Sequence, residues 1–95
     1  MRPDISIIVP NKDGGNTLRK CFDSILTQNL ENFEVLICDG ESKDSSLQII
    51  KEYCMEDKRF KLISNSDTGQ ANAINKGIAA SKARYLTWLN SDDEL

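Results

Sequence analysis

Histidine is absent from this sequence. That removes every Ser/His or Cys/His nucleophile arrangement and the commonest transition-metal ligand, so any metal would have to be held by oxygen. The three cysteines, Cys21, Cys38 and Cys54, form no CxxC pair and leave an odd thiol. They indicate neither a zinc knuckle nor a disulfide framework and read as core thiols of a reducing compartment, with no basic partner to activate them. No GxGxxG follows the first apolar run, and GxxxxGK followed by Ser or Thr occurs nowhere, which argues against a dinucleotide oxidoreductase and a P-loop nucleotidase. Long apolar runs are also missing. The N-terminus offers only Ile5 to Val9, too short for a signal-peptide core or a membrane span, so a soluble chain is expected. Basic residues number 12 against 15 acidic ones, and they are scattered. With a net charge of −3, no nucleic-acid partner is expected, because backbone affinity needs clustered Lys and Arg.

What remains is enough for one small core: 95 residues, 39% of them hydrophobic, with a single Trp. One domain spanning residues 1–95 is expected. Four short runs rich in β-branched and aromatic residues, Ile5 to Val9, Phe33 to Cys38, Phe60 to Ile63 and Tyr85 to Leu89, are strand candidates. The first two are continuously apolar, as strands covered on both faces of a parallel sheet should be. Helical patterns lie between them. Leu18, Phe22, Ile25 and Leu26 share a face, with Asn16 or Thr17 as cap; Leu47, Ile50 and Cys54 form a second stripe after Ser42 and Asp44; Ala71, Ile74 and Ile78 form a third. The order βαβαβαβ implies an α/β fold whose strands lie side by side with their C-terminal ends along one edge.

In such a sheet ligands sit beyond the strand C-termini. The polar segments there are Pro10 to Gly15, Asp39 to Asp44, Asn65 to Gln70, and Asn90 to Asp93. Acid stands where phosphate cradles are missing, at Asp39 and at Asp92-Asp93. Carboxylates repel a diphosphate unless a divalent cation lies between, and Mg²⁺ or Mn²⁺ takes such oxygen ligands together with phosphate oxygens. A carboxylate at the Asp39 position accepts from the imide N–H of uracil or thymine, whereas cytosine presents an acceptor there. Each residue also has a plainer reading. Asp92-Asp93 can be solvated, Asp39-Gly40 a turn, Tyr85 and Trp88 sheet core, and Lys12, Lys43 and Arg84 surface charge.

Taken in order, Ser6 to Lys12, Ser24 to Gln28, Phe33 to Asp44, Ser66 to Gly77 and Leu86 to Asp93 resemble the amino-terminal half of family 2 glycosyltransferases of the GT-A fold. The likeness is greatest to bacterial enzymes that build O-antigen or capsule polysaccharides. The resemblance implies a Rossmann-like, mainly parallel sheet with strand order 3-2-1-4. It implies that Val9, Pro10 and Asn11 line the nucleoside pocket and that Asp39 hydrogen-bonds the base. Asp92 would lie near the ribose or metal, Asp93 would ligate the metal directly, and Asp67, Gly69, Asn75 and Lys76 would border the nucleotide. Two positions depart from the family pattern: Asn72 stands where Asp is common, and Ala83 where Gly often precedes the fourth strand.

The activity implied is inverting, metal-dependent transfer of a sugar from a nucleotide-sugar, with UDP as nucleotide and Mn²⁺ or Mg²⁺ as cofactor, to a saccharide or lipid-linked saccharide acceptor. The setting implied is cytoplasmic, at the inner face of the membrane for the full-length protein. No catalytic residue is expected within the chain, because the general base of the family lies beyond residue 95, and the chain by itself is expected to be inactive. Two other readings stand beside this one: a stand-alone nucleotide-binding or regulatory module without transferase activity, and a metal-dependent phosphotransferase or receiver-like domain. The last would place its acids at the end of the first strand, where this chain has Val9-Pro10-Asn11. The fourth strand is expected to form an exposed edge prone to self-association, or else to leave Asn90 to Leu95 disordered.

Overall fold

The two most apolar runs take the centre of the sheet. In a computed structural model that describes residues 3–28, 32–65 and 69–95, β1 (Ile5–Asn11) and β2 (Phe33–Asp39) pair in parallel, from Ile5 opposite Phe33 to Asn11 opposite Asp39. Both are buried on each face almost throughout. β3 (Phe60–Asn65) flanks β2 and β4 (Tyr85–Trp88) flanks β1, giving an all-parallel sheet of order β3-β2-β1-β4. The α/β class and the strand order are those implied by the resemblance.

Period-2 alternation divides the core between the two faces of the sheet. Ile7, Val9, Val35 and Ile37 meet Leu18, Cys21, Phe22 and Ile25 of α1 (Gly15–Leu26) and Ile49 and Ile50 of α2 (Ser46–Glu56). Phe22, Tyr53 and Phe60 close this layer with ring centroids 4.9, 5.2 and 5.7 Å apart, separations at which aromatic pairs add to simple burial. α3 (Gln70–Ala80) covers the other face, where a Cβ on Gly77 would lie 2.6 Å from Ile8 Cγ2. Only a glycine lets the helix approach β1 this closely.

β2 carries two buried acids, Asp39 at its C-terminal end and, near its start, Glu34, which is 3% exposed. Its carboxylate accepts from the Ser6 hydroxyl, from Lys82 N at 3.2 Å and from Lys61 Nζ at 3.3 Å, while Ser81 Oγ donates to Ser6 Oγ at 2.7 Å. Burial pushes this carboxyl up, but these donors outweigh it and hold it below the usual carboxylate range.

Four expectations need correction. α1 starts at Gly15 with Gly14 as N-cap, so Asn16 and Thr17 fall inside the first turn. Leu26 is 40% exposed, because the inward face is complete at Ile25. In α2 the inward residues are Ser46, Ile49 and Ile50, with Tyr53 packed against them, while Leu47 is only half-buried. Tyr85 and Trp88 are not sheet core: they are 66% and 58% exposed, because β4 is an edge paired only with β1. The segment after β4 turns back on α1, where Leu95 N donates to Ser24 Oγ at 3.0 Å and Lys20 pairs with Glu94 at 3.0 Å.

Candidate nucleotide site at the strand ends

The loops after β1 and β2 are stitched together by side chains that stand in for missing backbone pairs. Gly40 N donates to Asn11 O at 2.7 Å, extending the β1–β2 ladder by one bond. Asn11 Nδ2 then donates to Asp39 Oδ1 at 2.8 Å. Asp39 also accepts from Ser42 N at 2.9 Å and from Ser42 Oγ at 2.7 Å. Ser42 Oγ in turn accepts from Asp13 N at 2.8 Å, and Asp13 Oδ1 accepts from Lys43 N at 2.6 Å. Asp13 and Glu41 hold left-handed backbone, each at φ 54°, which Asp tolerates better than most residues. The start of α1 is bound into the same seam, since Asp44 accepts from Gly15 N at 2.8 Å and from Ser46 N at 2.9 Å. Ser46, whose N–H donates to it, and the Gly15 N–H hold the Asp44 carboxyl below its usual range.

Next to this seam a cleft of about 560 Å³ opens along the C-terminal edge of the sheet. Pro10 to Gly14 form one wall and the first turn of α1 another, through Asn16 and Thr17. Cys38 comes from β2 and Gly40 from just after it, Gly69 caps α3 and Ala73 lies in its first turn, and Asn90 to Asp92 belong to the segment after β4. Thr17 Oγ1 donates to Ser91 O at 2.8 Å, tying that segment to α1. Gly14 lies against both Asn11 and Ser91: a Cβ there would sit 2.3 Å from Asn11 Oδ1 and 2.6 Å from Ser91 Oγ.

Of the residues singled out from sequence, Pro10, Asn11, Gly69 and Asp92 line the cleft. Val9 does not; it is wholly buried in the α1–α2 core, beneath the floor. Asp39 is 1% exposed and its carboxylate is turned into the loop seam, so it acts on the cleft through Asn11. Asp93 is exposed and lies next to the cleft without lining it. Asn75 and Lys76 sit further along α3 than the lining residue Ala73. Asp67 lies outside the described residues.

Cys38, Asn16, Thr17 and Ala73 line the cleft without having been singled out as site residues. Cys38 ends a strand and was read as core filler, although the strand-end position was a usable signal. Its thiol is pushed up by burial, partly offset by the charge of Lys76 and the Gly77 N–H. It therefore stays protonated and serves neither as nucleophile nor as soft-metal ligand. Cys21, in the middle of α1, is pushed up to about 12, by burial first and then by the charges of Asp93 and Asp92.

Among the described residues no group of three or more His, Cys, Asp or Glu could enclose a metal by itself. The donor set at the cleft mouth fits a different arrangement. Asp92 and Asp93 are exposed carboxylates, hard oxygen donors suited to a Mg²⁺-like ion that takes one or two carboxylates and completes its shell with phosphate oxygens and water.

The family model for glycosyl transferase family 2 matches residues 6–95. The glycosyltransferase GlyA of Streptococcus pneumoniae serotype 4 is 38% identical over 89 residues, covering 94% of this chain and 13% of that protein. Staphylococcus aureus TarS residues 1–349 in complex with UDP-GlcNAc superposes with a TM-score of 0.86 at 24% identity, covering 96% of this chain and 27% of that one. The mannosyltransferase PcManGT from Pyrobaculum calidifontis, in complex with GDP-Man and Mn²⁺, gives a TM-score of 0.85 at 20% identity, covering 97% of this chain and 28% of that one. The chain thus spans between 13% and 28% of these three proteins, and the two structural likenesses speak for the fold. With a family match over nearly its whole length, a four-stranded parallel sheet in the order 3-2-1-4 and a cleft at the strand ends, the chain belongs to glycosyl transferase family 2.

Proposed function

We propose that this chain is the donor-binding part of an inverting glycosyltransferase. It would hold a UDP-sugar across the strand ends while the sugar passes to a hydroxyl of a saccharide or lipid-linked saccharide in polysaccharide biosynthesis. The single observation that carries this reading is the cleft: it runs from the Asn11–Asp39 seam, suited to a base, to Asp92, suited to a hard cation. Support comes from the UDP-GlcNAc complex of TarS and the GDP-Man and Mn²⁺ complex of PcManGT, which share the fold.

Asp92 and Asp93 would hold Mn²⁺ or Mg²⁺. The cation supplies neutralisation of the charge that develops on the departing diphosphate. The chain's own residues bind and orient. Asn11 and Pro10 flank the base end, and the bare backbone at Gly69, with open space beyond its Cα, allows close approach. At the start of α1, Gly15 N donates to Asp44, Thr17 N to Gly14 O, and the Thr17 hydroxyl to Ser91 O. The general base that activates the acceptor hydroxyl belongs to another part of the protein in this reading, so the chain binds donor without transferring sugar. The proposed setting is the cytoplasm, at the inner face of the membrane. Among the described residues no helix is long and apolar enough to cross a membrane.

The test is UDP binding by calorimetry with and without Mn²⁺, in the wild type and in Asp92→Ala. Without metal the Asp92 charge repels the diphosphate, and with metal it holds the bridging ion. The variant should therefore bind UDP no worse than wild type in chelator and at least about tenfold worse in Mn²⁺. Binding that ignores both metal and substitution would overturn the assignment.

A further inference from the structure

Among the described residues no helix or strand follows β4. Leu89 N donates to Ile8 O at 2.9 Å, and the chain then leaves the sheet in a turn closed by Asp93 N donating to Asn90 O at 2.9 Å. Asp92 and Asp93 ride on that turn with exposed side chains. Connecting segments are ordinarily the more mobile parts of a fold, whereas a hard cation with a preferred coordination geometry needs its carboxylates held in place.

One row of side chains on α1 holds the turn. Thr17, Cys21, Ser24 and Gln28 follow one another at intervals of four, three and four residues, the spacing that aligns side chains along one face of a helix. Each bonds to the segment after β4. Thr17 Oγ1 donates to Ser91 O at 2.8 Å, and Cys21 Sγ, a weak donor, reaches Asn90 O at 3.8 Å. Ser24 Oγ accepts from Leu95 N at 3.0 Å, and Gln28 Nε2 donates to Leu95 O at 3.1 Å. The Ser24 hydroxyl proton goes to Cys21 O at 2.6 Å, which leaves its oxygen to accept from Leu95. The Lys20–Glu94 pair beside the row, at 3.0 Å, is exposed on both partners and adds little. The row thus grips main-chain atoms before and after Asp92-Asp93 and does not consume their carboxylates.

We infer that Thr17, Ser24 and Gln28 are positioning residues, which hold the Asp92-Asp93 turn at the cleft mouth ready for a divalent cation and its diphosphate. This rests on the donor-binding reading above. None of the three has to touch the metal. Loosening the turn lowers the apparent affinity for metal and nucleotide in proportion to the fraction of molecules whose acids are in place. UDP bound without metal gains nothing from an ordered acidic pair, so that affinity should not fall.

The experiment measures UDP affinity by calorimetry in Mn²⁺ and in chelator, with circular dichroism as a check of fold and amide exchange at Asp93 and Leu95 as a check of the turn. Ser24 and Gln28 do not line the cleft, so the double variant Ser24→Ala with Gln28→Met reports on positioning alone. Alanine favours the helix at position 24, and a weaker α1 therefore cannot explain a loss. This variant should exchange faster at both amides, bind UDP about fivefold or more weakly in Mn²⁺, and stay within about twofold of wild type in chelator. Thr17→Val, which removes the hydroxyl at nearly constant shape, should show the same split, and Thr17→Ser, which keeps the hydroxyl, should restore affinity in Mn²⁺. Faster exchange with unchanged affinity in Mn²⁺ overturns the inference and leaves the row a plain structural tether, with the donor-binding proposal intact. Equal losses in Mn²⁺ and in chelator overturn it as well. Wild type that binds no UDP, or binds it regardless of metal, overturns the donor-binding proposal and this inference with it.

Discussion

Asn11 and Asp39 are the last register partners of the β1–β2 ladder, and their side chains continue it, with Asn11 Nδ2 donating to Asp39 Oδ1 at 2.8 Å. One pair thus closes the sheet and starts the cleft wall. The carboxylate satisfies three donors in a site that is 1% exposed. Removing it strands Asn11 Nδ2 and the Ser42 N–H. Asp39→Ala should lower unfolding stability by about 2–3 kcal/mol, and Asp39→Asn by less, because the amide still accepts from one of them. Urea denaturation of the three proteins measures this, and equal stability of Asp39→Ala and wild type would contradict it.

Acid should weaken the fold through carboxyls held below their usual range. The donors from Ser6, Lys82 and Lys61 outweigh burial at Glu34, and hydrogen bonds from Arg59 do the same at Asp57. A folded pKa below the unfolded one means stability that is fully present above the unfolded value, about 4, and is lost as pH falls through the folded value. Stability should therefore be flat from pH 7 to about 5 and fall below about 4. In Glu34→Gln the fall should be shallower and the plateau lower. An unchanged slope in the variant would show that Glu34 carries none of it.

Gly77 sets how closely α3 lies on the sheet. A helix-favouring side chain would normally gain about 1 kcal/mol here, but a Cβ would meet Ile8 Cγ2 at 2.6 Å and Ile8 Cγ1 at 2.8 Å. Gly77→Leu should destabilise by more than about 2 kcal/mol through overpacking. The pair Gly77→Ala with Ile8→Ala, which removes both clashing carbons, should lose less stability than the sum of its two single substitutions. Thermal denaturation of these variants distinguishes packing from propensity.

The edge strand makes a separate prediction. Tyr85, Leu86 and Trp88 are all exposed on β4, which pairs on one side only. Unpaired backbone beside apolar side chains invites pairing with another chain. Sedimentation at several concentrations should show reversible association of the chain, reduced in Trp88→Lys. A monomer at every concentration, with β4 amides well protected from exchange, would contradict it.

Much of this fold was legible because its signals are local. Ile5 to Val9 and Phe33 to Cys38 are continuous apolar runs, and such runs belong in the middle of a parallel sheet. The strand ends, and with them the cleft, followed from the βαβ order. What was illegible depended on contacts across the chain. Tyr85 and Trp88 have the composition of core residues, and residue type alone misplaced them, although the strand order implied by the resemblance already made β4 an exposed edge. Val9 shares a strand end with Pro10 and Asn11, yet period-2 alternation turns it into the α1–α2 core. Asp39 stands where a ligand-binding carboxylate belongs. That it serves the seam through Asn11 and Ser42 depends on a loop conformation that no short motif encodes.

The central claim is that nucleotide occupies the cleft at the strand ends, and amide shift mapping with UDP and Mg²⁺ tests it most directly. The account predicts shifts concentrated at Asn11, Gly14, Gly40 and Asp92, which line that cleft, with the outer face of α2 around Leu47 and Met55 unmoved. Shifts confined to α2, or none at saturating UDP, would contradict it.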